Sequence, residues 1–97
     1  MEQQNDKTSG EAQKIKVERV QTGVRMEKRM VKVLKAMAEY HDISLGDLLE
    51  RIVLRAFENQ PVFNQESLEK IKAIREVYDM NDGLEASHRW IDSEKDK

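Results

Sequence analysis

The chain has no cysteine, and two histidines among its 97 residues. No disulfide framework is therefore possible, which fits a reducing, cytoplasmic setting. His41 and His88 are far apart and neither has a histidine one helical turn away, so no metal site is expected. With four glycines there is no glycine-rich phosphate loop, and no Ser-His-Asp or Cys-His arrangement stands out. The expectation is a protein that is not an enzyme and needs no cofactor. No apolar run approaches the length of a signal peptide or a membrane span, so neither export nor a membrane partner is expected. The single proline, Pro61, is a helix stop.

What is abundant is charge. Charged residues make up 37% of the chain and apolar residues 38%, a lean supply for a monomeric core. The net charge of −2 conceals a division. Residues 14–35 hold Lys14, Lys16, Arg19, Arg25, Lys28, Arg29, Lys32 and Lys35 against Glu18 and Glu27, a local charge of +6. Residues 36–97 carry 8 basic and 14 acidic side chains, or −6. Such a split points to a basic surface for a polyanion beside an acidic remainder; its bland counterpart is a solvated helix face.

Residues 1–14 contain almost nothing apolar and read as a disordered arm. Alternation is clearest from Val20 to Met26, with Val20, Thr22, Val24 and Met26 on one face of a strand and Gln21, Gly23 and Arg25 on the other. A first helix is predicted from about Glu27 to Tyr40, with Met30, Leu34, Met37, Ala38 and His41 on its apolar stripe. Met26, Met30 and Met37 read as dimer core rather than ligands. Ser44 is a good N-cap for a second helix, whose apolar face is Leu45, Leu48, Leu49, Ile52, Val53, Ala56 and Phe57. A third helix is predicted from Gln65 to about Asp79 after an Asn64 cap. A fourth is predicted to open on an Asp82/Glu85 capping box and to reach about Ile91. Residues 94–97 should fray.

One strand cannot make a sheet, and 40 residues without disulfides or metal rarely fold alone. A second copy would complete a two-stranded antiparallel ribbon, an element that fits the DNA major groove. A monomeric helix-turn-helix would leave Val20, Val24 and Met26 without a partner.

Val24-Arg25-Met26 leading into the first helix, the loop ending Ile43-Ser44, and Leu48-Leu49-x-x-Ile52 together resemble the ribbon-helix-helix family of MetJ/Arc-type DNA-binding proteins. The resemblance covers residues 19 to 59. It implies a mainly α fold, a ribbon-helix-helix with one N-terminal strand pairing in an intertwined homodimer, here with additional C-terminal helices. It divides the chain into a dimerisation and DNA-binding domain at 15–60 and a helical extension at 61–93. It also implies sequence-specific binding of double-stranded DNA, as in a transcriptional repressor or an antitoxin.

On that resemblance, Arg19, Gln21, Gly23 and Arg25 occupy base-facing strand positions, where Arg suits guanine and Gln suits adenine. Lys28, Arg29, Lys32 and the turn Ser44, Leu45, Gly46 are placed against phosphates, the turn through backbone N–H groups at a helix N-terminus. Two residues depart from the family pattern. Gly23 removes a reading side chain and Gly46 removes a polar donor, which shifts specificity toward Gln21, Arg25 and DNA shape. Residues 62–93 are too apolar for a solvating tail. They either extend the dimer core or bind a protein partner such as a toxin. A dimeric assembly module without DNA binding is the alternative from another class.

Overall fold

A computed structural model describes residues 13–93. Residues 1–12, most of the arm expected at 1–14, and the tail expected to fray at 94–97 lie outside the described residues. The fold is helical: α1 (Lys28–Tyr40), α2 (Leu45–Phe57), α3 (Gln65–Val77) and a short 3-10 helix at Leu84–Arg89. No described helix is long and apolar enough to cross a membrane.

The expected strand is absent. Among the described residues, 13–27 have no regular secondary structure, and no backbone hydrogen bond ties 13–26 to another segment. Alternation prepares a segment for a sheet, but a strand exists only when a neighbour accepts and donates its ladder bonds, and one chain offers no such neighbour. The ribbon of the ribbon-helix-helix reading is thus corrected to an irregular, exposed leader into α1.

Each α-helix begins on a side-chain cap. Glu27, read from sequence as the first residue of the first helix, is its cap: the carboxylate accepts the Met30 N–H at 2.8 Å. Ser44 Oγ accepts the Asp47 N–H at 3.0 Å, and Asn64 Oδ1 accepts the Ser67 N–H at 2.8 Å. Each helix also ends in the same way. Asp42, Asn59 and Asp79 take left-handed backbone angles, with φ of 59°, 56° and 58°. The next residue then donates back across the last turn: Ile43 to Ala38, Gln60 to Arg55 and Met80 to Arg75. These are Schellman closures, built on Asp and Asn, which tolerate that conformation better than most non-glycine residues.

The Asp82/Glu85 capping box does not form. Gly83 precedes the 3-10 helix with no side-chain cap, and the Asp82 carbonyl accepts Arg75 Nη2 at 2.8 Å.

α2 and α3 each pack on α1 and not on each other. α1 therefore supplies three of the five buried core residues, Val33, Met37 and Ala38; Leu48 of α2 and Met80 after α3 complete them. Ile71, Ile74 and Phe63 pack against that cluster, so the C-terminal extension shares the core of the N-terminal helices. Met26, expected in the core, is 40% exposed. At the far end of α1, Tyr40 donates to Glu66 at 3.0 Å, and His41 Nε2 lies 3.4 Å from the buried Ser67 hydroxyl.

Glu27 also makes stability depend on pH. Partial burial opposes its charge, but the Met30 N–H, the Arg29 guanidinium and the Arg29 N–H outweigh it and hold the carboxyl below its ordinary value. A depressed native pKa stabilises the fold above the unfolded value, about 4.3, and that contribution is lost as pH falls through the native value. Glu27→Gln is therefore expected to shrink the loss of stability between about pH 7 and about pH 3, read from urea midpoints. An unchanged pH dependence would exclude this role.

Candidate nucleic-acid interface

The basic block forms the leader and the outer face of α1. Seven of its eight cations are exposed; Arg29 alone is half-buried. Arg29 is committed to the fold: Nε lies 3.2 Å from the Glu27 carboxylate and Nη1 donates to the Asp79 carbonyl at 2.6 Å. It clamps the start of α1 to the end of α3, although its sequence position marked it as a phosphate contact. Lys28 stays exposed, and Lys32 Nζ sits 5.6 Å from the centre of the Tyr78 ring, within cation–π range.

The two arginines assigned to base edges are held by carboxylates of the same chain. Arg19 makes a forked pair with Glu50 at 3.2 and 2.9 Å. The hydrogen bond and the charge of Glu50 raise the Arg19 pKa, and the same pair lowers that of Glu50. Arg25 Nη2 meets Asp92 at 3.1 Å. Both pairs are open to solvent, with every partner more than half exposed. Pairs of this kind are weak and yield to salt or to a competing polyanion. Glu50 and Asp92 carry no local signal in the sequence, since they lie 31 and 67 residues from their partners.

Gln21 and Gly23 are exposed on the leader. Neither Gly23 nor Gly46 has a positive φ, and a Cβ at Gly23 would meet open space. The one at Gly46 would touch only Ser44 Oγ, at 3.9 Å. Neither glycine is required by its own backbone or packing.

The leader meets the rest of the chain in two places. Val17, Glu18 and Arg19 border a hollow of about 540 Å3 with Leu49, Glu50, Val53 and Leu54 of α2. Val24, Arg25 and Lys28 border an open groove of about 920 Å3 with Trp90, Ile91 and Asp92. The Ser44, Leu45, Gly46 turn lies beyond the other end of α1. A 13-residue helix is about 20 Å long, so α1 separates the turn from Lys28 by roughly that distance. The sequence-assigned residues thus form an extended basic flank and a separate helix start, not one compact cluster.

The N–H groups in the first turn of α2 have no partner within the helix and carry its positive dipole end, apart from the Asp47 N–H that Ser44 takes. Among the described residues no group of His, Asp and Glu could hold a metal ion. Compared with protein-family models, with curated proteins and with solved structures, the chain matches none.

Proposed function

We propose that the chain binds double-stranded DNA as a homodimer and acts as a transcriptional repressor. The observation that carries this reading is the exposure of the +6 block: its cations, Arg29 apart, lie on exposed surface of the leader and of α1. Lys28 and Lys32 supply sequence-independent attraction, and the start of α2 receives a phosphate. Gln21 and Arg25 are the exposed candidates for base edges. DNA phosphates displace Glu50 and Asp92 from their arginines on binding.

The homodimer is supported by α2. Its core-facing side chain Leu48 is buried, but the neighbouring stripe faces outward: Val53 is 44% exposed and Phe57 79%. Apolar stripes of this kind mark interfaces, and a two-fold axis lets one stripe cover its own copy. A dimer also presents two basic flanks to successive half-sites.

Fluorescence anisotropy on duplex DNA across a salt titration tests the reading. Lys28→Ala is expected to weaken binding to all sequences alike and to lower the salt slope by about one. Arg25→Ala is expected to erase preference among sequences. Absence of binding at low salt would overturn the DNA reading.

A second reading, an antitoxin, is favoured by the C-terminal stretch. Leu84 and Ile91 are 90% and 91% exposed, beside Asp82, Glu85 and Asp92. An apolar, acidic surface suits a basic protein partner. Co-purification of a basic neighbour protein with the full chain, lost in Leu84→Asp/Ile91→Asp, tests it.

A further inference from the structure

The side of α2 away from the exposed stripe faces the loop that leads into α3, and between them lies a cavity of about 330 Å3. Its floor is apolar, with Leu48, Ile52 and Phe63. Its rim carries Arg51 and Arg55, one helical turn apart on α2, and no aspartate or glutamate lines it. That is unusual in a chain whose residues 36–97 are strongly acidic.

Several other polar atoms of the wall are already engaged. Asn64 Oδ1 caps α3, and Ser67 Oγ lies 3.4 Å from His41 Nε2. Arg55 is steadied at the mouth by one bond, Nη1 to the Pro61 carbonyl at 3.2 Å, which leaves the rest of its fork. Arg51 has no ion pair among the described residues. The formal charge of the wall is therefore cationic, and it stands over apolar surface.

We propose that this cavity binds a small organic carboxylate, with its charge on Arg51 and Arg55 and its hydrocarbon body on Ile52 and Phe63. Two guanidinium forks match a carboxylate in shape as well as charge. The volume lies at the small end of the range for ligand clefts, about 300–1,000 Å3, which suits a short amphiphile. The site is separate from the basic flank, so its fate does not depend on DNA binding.

The test is a two-dimensional NMR titration of the full-length protein with sodium octanoate, with octanol as the uncharged control. Octanoate is expected to produce saturable shifts at Ile52, Phe63 and the Arg51 and Arg55 side-chain N–H groups, and octanol to bind at least about tenfold more weakly. Arg51→Gln/Arg55→Gln is expected to weaken octanoate by a similar factor. Both side chains are exposed and the one bond lost is Arg55 to the Pro61 carbonyl, so the double variant is expected to keep the parent's helix content by circular dichroism. Equal binding of octanoate and octanol, parent-like binding by the double variant, shifts confined to the Val53–Phe57 stripe, or no saturation would each overturn the proposal.

Discussion

Met37→Ala is expected to cost about 2–5 kcal/mol of folding stability, the range for truncating a buried Met or Leu. Met37 is 1% exposed, the most enclosed side chain of the core. Among the described α-helices α1 alone touches both others, so a void at Met37 loosens the hub of the structure. Domains of this size have only about 5–15 kcal/mol in total, so the loss is a large share of the whole. Urea unfolding followed by circular dichroism measures it. Met26→Ala is the matched control: Met26 is 40% exposed on the leader, and its change is expected to stay within about 0.5 kcal/mol. Equal effects at the two positions would contradict the placement of the core.

Val53→Asp is expected to convert the proposed dimer to monomer. Val53 is partly open in the single chain, so the substitution is tolerated by the helix itself. In the proposed dimer it places an unpaired carboxylate against an apolar partner surface, and burial of such a charge is costly. A rise in the dimer Kd of at least about a hundredfold corresponds to about 2.7 kcal/mol. Sedimentation equilibrium with parallel circular dichroism reads both association and helix content. Phe57→Asp, further along the stripe, should behave alike, whereas Leu84→Asp on the C-terminal stretch should leave association unchanged. If Val53→Asp associates like the parent chain, the stripe is not the interface. Loss of the dimer should also lower DNA affinity, because two half-sites would no longer be held by one particle.

Local signals located the helices well. The apolar spacing in Met30, Leu34, Met37, Ala38 and in Leu48, Ile52 marks the faces that pack, because i, i+3, i+4 positions share a side of any helix. Ser44 and Asn64 cap the helices they precede, since the cap bond spans only three residues. Two local readings failed for local reasons. Glu27 caps α1 rather than entering it, and the segment after Asp82 winds as a 3-10 helix that starts behind Gly83, so the Asp82/Glu85 box does not form.

The candidate site was legible as charge and not as geometry. A run of lysines and arginines is visible in any listing of residues, and the exposed flank is where it lies. Arg29 could not be separated from Lys28 and Lys32 by sequence, because its commitment to Asp79 depends on where α3 ends, 50 residues later. The cavity under Arg51 and Arg55 was equally invisible, since its far wall is the loop at 61–64.

The sequence by itself determined three helices, the starting caps of the second and third, and a basic half followed by an acidic one, because periodicity, capping and charge act over a few residues. Only the tertiary structure decided that α1 is the hub, that the alternating leader is no strand, that Arg19 and Arg25 face Glu50 and Asp92, and that one side of α2 is covered while another is bare. Each of these depends on a partner group distant in the chain. A backbone ladder, an ion pair or a packed face is satisfied by whatever the fold brings near it, and a residue's neighbours in sequence do not specify what that will be.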